Sequence, residues 1–183
     1  MRNQYWNCEG FPKNTLDTIL EAAEVRKENL ISADMGVDGE TNNSEHRSSK
    51  VLWLSDLKWL KDYLYDDWIL RANREFFGFD MYNVGDIQYT EYHASEGGKY
   101  DWHIDTFWQD PKPFTRKLSM TIQLSDPSEY TGGEFQMQDV DYTGSTELGA
   151  VTVFPSYLSH RVTPLESGVR KSLVAWFEGP TFK

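Results

Sequence analysis

The 183-residue chain lacks several features that mark particular classes of protein. Its single cysteine, Cys8, excludes a disulfide within the chain and a cluster of thiolate ligands. No run of about 18 apolar residues, the length that a membrane-spanning helix needs, is present, and the first residues lack the apolar core of a signal peptide. We therefore predict a cytoplasmic protein without a membrane partner.

Basic residues are also scarce: 18 Lys and Arg stand against 29 Asp and Glu, giving a formal net charge of −11. Because nucleic-acid binding rests on clustered basic side chains, this balance argues against DNA or RNA as a partner. Aromatic residues are abundant instead, with 7 Trp, 10 Tyr and 10 Phe that can fill a core. Length and composition predict one domain over residues 1–183.

The first part of the chain, up to about residue 83, has helical patterns. Apolar residues recur at helical spacing from Pro12 to about Leu30. A second helix is predicted to open with Ser55 as its N-cap and to stop at Gly78. The polar stretch from Ser32 to Lys50, which lies between the two helices, predicts a long loop, and the short apolar run from Val51 to Leu54 that follows it is a strand candidate.

From about residue 84 to 179, short strand-like runs alternate with turn signals. The predicted strands are Ile87 to Tyr92, Tyr100 to Asp105, Lys117 to Leu124, Glu134 to Met137, Val151 to Phe154, Leu158 to Val162 and Val169 to Phe177. Many short strands at close spacing are typical of a sandwich or jelly-roll barrel. The sequence therefore predicts an α+β fold, a double-stranded β-helix of the cupin type supported from outside by the N-terminal helices.

Two histidines and an aspartate form a pattern that can bind a metal. On the predicted strand from Tyr100 to Asp105, the side chains of His103 and Asp105 point to the same face, because residues two apart on a strand do so. His160 is the candidate third ligand. Two imidazoles and one carboxylate leave three coordination sites open, as in non-haem iron(II) oxygenases. The alternative is that His103 is a core histidine with an ordinary hydrogen bond.

Arg170 follows His160 after the turn at residues 163–168. If that turn closes a hairpin, Arg170 lies on the strand beside His160, and its guanidinium can bind the distal carboxylate of a dicarboxylate ligand. The other end of that ligand, a carboxylate and the adjacent keto oxygen, would chelate the metal. The alternative is a surface position, with Arg170 paired to Glu166 or Glu178.

These residues resemble the pattern of a known family, the prolyl hydroxylase branch of the iron(II)- and 2-oxoglutarate-dependent dioxygenases. The similarity runs from about Ile87 to Phe177 and rests on His103-Ile104-Asp105, His160, Arg170, Gly98-Lys99-Tyr100, Tyr130-Thr131-Gly132-Gly133-Glu134-Phe135 and Phe154-Pro155-Ser156. The resemblance implies Fe(II) held by the His-Asp-His triad, with 2-oxoglutarate and O2 as co-substrates, and it allows ascorbate as a reductant. It also implies hydroxylation of a substrate C–H bond while 2-oxoglutarate is oxidised to succinate and carbon dioxide.

Individual roles follow from the same resemblance. Tyr92 would hydrogen-bond the distal carboxylate of 2-oxoglutarate, and Tyr89 is a substitute because the segment after Tyr92 is longer than usual. Gln123 stands where some prolyl hydroxylases have a second tyrosine for this ligand. Arg116 and Trp176 would contact the substrate.

Related enzymes also close a loop over a peptide near the segment from Ser32 to Lys50, which makes that segment a candidate lid. His46 and His93 have no role in this pattern, and we expect both to be solvated.

The leading hypothesis is hydroxylation of a prolyl residue in a peptide or protein. Three alternatives stay open: the same chemistry on a free amino acid or small metabolite, a cupin-type metalloenzyme that needs no 2-oxoglutarate, and a non-catalytic barrel that binds a ligand or partner. Arg170 argues against the second, because such an enzyme needs no buried guanidinium. The intact triad argues against the third.

Overall fold

The structure, a computed structural model, describes residues 4–33, 45–106 and 112–182. Its strands, numbered in chain order, are β1 (Trp6–Cys8), β2 (Ile31–Ser32), β3 (Arg47–Ser48), β4 (Lys50–Trp53), β5 (Asn83–His93), β6 (Lys99–His103), β7 (Phe114–Gln123), β8 (Tyr130–Gly132), β9 (Phe135–Met137), β10 (Tyr142–Thr143), β11 (Val151–Pro155), β12 (His160–Val162) and β13 (Leu165–Pro180). Its helical segments are α1 (Lys13–Val25), α2 (Lys58–Tyr63), α3 (Leu70–Ala72), the π-helical turns Leu64–Ile69 and Asn73–Phe77, and the 3-10 turns Lys27–Asn29, Ala94–Glu96 and Pro127–Glu129.

Helix α1 is shorter than the sequence pattern predicts. It ends at Val25, and the 3-10 turn that follows occupies most of the remaining stretch to Leu30. Three residues at helical spacing, Leu16, Ile19 and Ala23, form its buried face. This face packs α1 against the main core of the protein.

The second helical region begins at Lys58, so the prediction of Ser55 as its N-cap is wrong. Leu57 stands at the cap position and makes no side-chain cap hydrogen bond. The Ser55 hydroxyl instead accepts the backbone N–H of Ile87 at 2.9 Å, which ties the start of this region to β5. Gly78 ends the region in the left-handed conformation (φ 70°), as predicted.

Two antiparallel sheets form the barrel. The larger has the order β1-β11-β7-β13-β5-β4-β2, with β8 also paired to β13, and the smaller has the order β10-β9-β12-β6-β3. The arrangement confirms the predicted α+β jelly-roll class. Strand β4 confirms the strand candidate Val51 to Leu54. Strands β1 to β3 were not predicted, so the boundary near residue 83 does not separate helices from strands. A single domain over residues 1–183 stays a prediction.

The two faces of the larger sheet differ in character. Its outer face carries apolar side chains such as Ile87, Leu118 and Leu173, which pack with the helices into the main core. Its inner face carries polar residues at the alternate positions, among them Ser119 and Arg170. The helices therefore support one sheet from outside, and the polar face points toward the smaller sheet.

A second, smaller apolar cluster lies between the sheets. It consists of Phe135 and Met137 from β9, Phe154 from β11 and Leu158. These side chains close one end of the barrel interior beside His160. Within the described ranges, no helix has both the length and the apolar character required to cross a membrane.

Candidate active site

His103 and His160 are cross-strand neighbours in the smaller sheet. His103 ends β6, His160 begins β12, and the two residues stand opposite each other in the antiparallel register. Their ring centroids are 4.1 Å apart. His160 is buried, and the ring of Phe154 packs edge-on against it at 4.7 Å. The pairing of β6 with β12 thus brings together two histidines that are distant in sequence.

Asp105 lies beyond the end of β6, whereas the sequence pattern placed it on that strand. Its backbone N–H donates to the carbonyl of Ser156 at 2.8 Å, so a turn directs the side chain inward. The Ser119 hydroxyl donates to Oδ2 of Asp105 at 2.7 Å, and the Ser156 hydroxyl lies 2.9 Å from that of Ser119. The carboxylate is therefore anchored to both β7 and the segment after β11.

The candidate ligand atoms of the three residues converge. Nε2 of His103 is 3.9 Å from Oδ1 of Asp105, and Nε2 of His160 is 3.5 Å from Oδ2. All three ligand atoms lie within 4.8 Å of one another. Ligand atoms bound about 2.1 Å from a metal at right angles are about 3 Å apart, so a small inward movement suffices to coordinate a cation.

The backbone fixes the orientation of both imidazoles. Nδ1 of His103 lies 2.7 Å from the carbonyl oxygen of Asp101, and Nδ1 of His160 lies 2.9 Å from that of Leu158. A carbonyl oxygen only accepts, so each Nδ1 donates its proton and each Nε2 keeps a free lone pair. Burial lowers the pKa of His103 to about 3, and nearby His160 acts in the same direction. His103 is therefore neutral, the form that binds metals.

The carboxylate of Asp105 is ionised. Burial alone raises its pKa, but the pKa is held below its usual value, and the hydrogen bond from Ser119 is one of the interactions that favour the ionised form. The three groups available to a metal are thus one carboxylate and two imidazole Nε2 atoms. This set fits an iron(II) ion with further coordination positions open.

Arg170 is buried on β13 directly opposite Tyr92 of β5. The hairpin expected between His160 and Arg170 does not form, because β12 pairs with β6 and β9 in the smaller sheet while β13 belongs to the larger one. Its Cζ lies 5.7 Å from the centroid of the Tyr92 ring. Among the residues that the structure describes, no carboxylate forms an ion pair with Arg170. The alternative of a surface ion pair with Glu166 or Glu178 is therefore wrong. A buried guanidinium that lacks an acidic partner is suited to an anionic ligand.

Tyr130 is a site residue to which the sequence patterns assigned no role. It is buried, and its hydroxyl accepts a hydrogen bond from Nε2 of Gln123 and lies within hydrogen-bonding reach of Arg170. Burial raises its pKa while Arg170 opposes that effect, so the phenol keeps its proton. Both neighbours donate to the phenolic oxygen, so its own O–H is available to an acceptor. Gln123, expected to contact the ligand, contacts Tyr130.

Tyr89 lies outside this site. Strand alternation places it on the outer face of the larger sheet, where its hydroxyl donates to Glu91 at 2.8 Å. The other carboxylate oxygen of Glu91 lies 2.8 Å from Nε2 of His93. Of the two tyrosines, Tyr92 is the one that lies beside Arg170, and its role stays a prediction. The expectation that His93 is solvated is wrong, because it is half-buried and hydrogen-bonded.

Trp176 and Arg116 lie together at the inner face of the larger sheet. Trp176 is the cross-strand neighbour of Ser119, and Cζ of Arg116 is 4.1 Å from the centroid of its ring. Arg116 also pairs with Asp86 at 3.4 Å. The buried indole N–H of Trp176 has no hydrogen-bond partner within the described ranges. Such a donor fits an acceptor on a bound molecule.

A second group that the sequence analysis missed stands beside His103. The ring of Tyr100 stacks on that of His103 with centroids 3.4 Å apart and planes 12° apart, and Cζ of Arg47 lies 4.4 Å from the Tyr100 centroid. Arg47 falls in the stretch predicted to be a loop, and nothing in its neighbouring sequence marks it. His46, expected to be solvated, is half-buried with its ring edge toward Tyr100. Of the candidate lid, residues 34–44 lie outside the described residues.

Comparison with known proteins shows which family has this site. The family model of the 2OG-Fe(II) oxygenase superfamily matches residues 87–178, half of the chain, and that stretch includes the triad and Arg170. The chain belongs to the 2OG-Fe(II) oxygenase superfamily. Membership confirms the predicted family and, with the triad, makes iron(II) and 2-oxoglutarate the cofactor and co-substrate of this 2OG-Fe(II) oxygenase.

Similar proteins carry hydroxylase names. A PKHD-type hydroxylase of Hyphomonas neptunium is 37% identical over 89 residues, 46% of this chain and 40% of the relative. The chain therefore spans well under two thirds of this relative's length. A Pseudomonas putida prolyl-4-hydroxylase has the same fold (TM-score 0.74, 20% identity, 97% of this chain and 94% of that one). A Trichoplax adhaerens prolyl hydroxylase in complex with a hypoxia inducible factor peptide fragment also matches (TM-score 0.73, 16% identity, 96% and 83% covered).

Proposed function

We propose that this 2OG-Fe(II) oxygenase hydroxylates a C–H bond of a prolyl residue in a peptide or protein. One observation carries the proposal: two imidazoles and a carboxylate converge inside a barrel that also holds the buried guanidinium of Arg170, which has no acidic partner among the described residues. The hydroxylase names of its relatives, and the bound peptide of the Trichoplax enzyme, support a prolyl substrate.

His103, Asp105 and His160 hold the metal in this proposal, through Nε2, a carboxylate oxygen and Nε2. Bound there, iron supplies oxygen activation coupled to the oxidation of 2-oxoglutarate. The backbone carbonyls behind each Nδ1 and the Ser119 hydroxyl behind Asp105 keep the three ligands in one geometry. The apolar ring of Phe154 excludes water from the side of His160.

Arg170, Tyr130 and Tyr92 bind the distal carboxylate of 2-oxoglutarate. The guanidinium supplies the charge, and the Tyr130 hydroxyl donates the proton that no described residue accepts. Gln123 positions Tyr130. Tyr92 forms the wall beside Arg170.

Trp176 and Arg116 are the proposed substrate contacts. The indole N–H of Trp176 donates to a substrate carbonyl, and Arg116, held between the Trp176 ring and Asp86, forms the adjoining wall. A second candidate substrate, a free amino acid or small carboxylic acid, is favoured by the buried Arg47.

A turnover assay with iron(II), 2-oxoglutarate and ascorbate tests the proposal, with succinate measured in the presence and absence of proline-containing peptides. We expect peptide-stimulated succinate and a mass increase of one oxygen atom on proline. His103→Ala and Asp105→Ala should abolish both, while Arg170→Ala should chiefly raise the 2-oxoglutarate concentration required. Thr18→Ala, on the exposed side of α1, is the control. Full turnover by His103→Ala would exclude the proposed metal site.

A further inference from the structure

Arg47 is a second buried guanidinium next to the metal site. It lies on β3, the edge strand of the smaller sheet, opposite Tyr100 of β6, and only 6% of its surface is exposed. Its guanidinium lies against the ring of Tyr100, and the same ring stacks on the imidazole of His103. Arg47 therefore faces the interior of the barrel from the wall formed by the smaller sheet.

The described partners of Arg47 are all neutral. Nε donates to the hydroxyl of Ser49 at 2.8 Å, Nη2 donates to Oε1 of Gln88 at 3.0 Å, and the Tyr100 hydroxyl lies within hydrogen-bonding reach. No carboxylate of the described residues forms an ion pair with Arg47. A guanidinium has five N–H donors, so these three neutral acceptors leave some N–H groups without a described acceptor, and no described residue compensates the charge. Burying such a charge is costly unless an anion joins it.

The ligands of the proposed function do not supply this anion. A divalent metal, the Asp105 carboxylate, the 2-oxoglutarate dianion and the Arg170 guanidinium together carry no net charge. Arg47 adds one positive charge to this neutral set. It also has its own partners, Ser49 and Gln88, whereas Arg170 contacts Tyr130. The two guanidinium groups are therefore prepared for two different anions.

We propose that Arg47 binds a carboxylate of the substrate itself. The inference rests on the proposed function and narrows its substrate class to a proline whose own carboxylate is free, as the amino acid or as the last residue of a peptide. Gln88 and Ser49 orient the guanidinium, and Tyr100 keeps it at a fixed distance from the metal ligand His103. An internal prolyl residue has an amide at this place and leaves the charge unmatched.

A binding measurement without turnover tests this inference. The protein is loaded with cobalt(II) and 2-oxoglutarate under nitrogen and titrated calorimetrically with N-acetyl-L-proline and with N-acetyl-L-prolinamide. We expect the acid to bind roughly 30-fold more tightly than the amide, the lower range for a buried charge pair that loses one partner. Arg47→Gln should remove this preference, and Arg47→Lys should restore part of it.

Arg161→Gln is the matched control. Arg161 also lies over an aromatic ring, Trp102 at 4.5 Å, and donates to a glutamine, Gln136 at 2.9 Å, but it stands next to His160 on the other face of the smaller sheet. It should keep the full preference for the acid. Equal binding of acid and amide, binding of neither, or a preference that survives in Arg47→Gln would overturn the inference. Failure of the wild type to bind cobalt(II) or 2-oxoglutarate would instead contradict the proposed function.

Discussion

Replacing Tyr130 with phenylalanine removes one hydroxyl from the proposed 2-oxoglutarate site and leaves the ring in place. That hydroxyl receives hydrogen bonds from Gln123 and from Arg170, so its proton is directed to the ligand. A hydrogen bond to a charged group contributes about 1.5–3 kcal/mol. We therefore expect the Kd for 2-oxoglutarate to rise roughly 10- to 150-fold in Tyr130→Phe.

The assay follows the visible absorbance of the iron(II) protein under nitrogen as 2-oxoglutarate is added, and in parallel the KM for 2-oxoglutarate in succinate formation. The kcat at saturating 2-oxoglutarate should change little, because the hydroxyl lies at the end of the ligand away from the metal. Tyr142→Phe is the control, since that part-buried hydroxyl pairs with Thr152 at 3.1 Å outside the site. An unchanged Kd in Tyr130→Phe would refute the assigned role.

A double-mutant cycle separates Gln123 from Tyr130. If Gln123 acts only by holding the tyrosine, Gln123→Met should weaken 2-oxoglutarate binding in the wild type and have no further effect in the Tyr130→Phe background. Additive losses would mean that Gln123 contacts the ligand itself, as the sequence resemblance implies.

Three further predictions concern the carboxylate of Asp105, the outer face of the larger sheet and the close contact between Gly179 and the backbone of Asp80. Ser119→Ala removes the hydrogen bond to the metal-site carboxylate and should weaken iron(II) binding about 10- to 100-fold in a metal titration, with Thr18→Ala as the control. Tyr89→Phe should lower the free energy of unfolding by about 1 kcal/mol at pH 7. Burial raises the pKa of Glu91, but hydrogen bonds from Tyr89 and His93 outweigh burial and depress it. The stability that comes from a depressed carboxyl pKa is lost as the pH falls. Denaturant titrations should therefore show the difference in unfolding free energy between wild type and Tyr89→Phe becoming smaller below about pH 4. Gly179→Ala would place a Cβ against the backbone oxygen of Asp80 and should cost about 1–3 kcal/mol in the same titration. Gly144→Ala should cost less, because its Cβ would meet the side chain of Phe135 at 3.3 Å and no backbone atom as closely as at Gly179.

Local patterns in the sequence predicted much of the barrel because its strands alternate. Polar residues such as Ser119 and Arg170 occupy one face of a strand, while the apolar residues between them occupy the other, and this period of two is readable from sequence. The helices were less well placed. Ser55 has the chemistry of an N-cap, yet its hydroxyl serves β5, a tertiary contact that no local pattern reveals.

The site shows the same division. His103 and Asp105 were predicted from their spacing, although Asp105 lies beyond the strand and reaches the site through a turn that depends on Ser156, which is far away in the chain. Arg170 was predicted on a hairpin with His160, whereas the two residues lie in different sheets. Tyr130 belonged to a recognised phrase, but its role depends on the proximity of β8 to β13. Arg47 was hidden in a polar stretch, since its burial results from pairing with β6. The role of a residue that depends on pairing between distant strands cannot be predicted from the pattern of its neighbours in sequence.

The main-chain carbonyls of Asp101 and Leu158, which orient the imidazoles of His103 and His160, have a bearing on how such an enzyme can diversify. A carbonyl group is present whatever side chain its residue carries, so substitutions at these two positions leave the support of the imidazoles intact. Selection can thus remodel the walls that recognise the substrate while the reactive centre is inherited unchanged. One scaffold of this kind is therefore able to give rise to catalysts with very different targets.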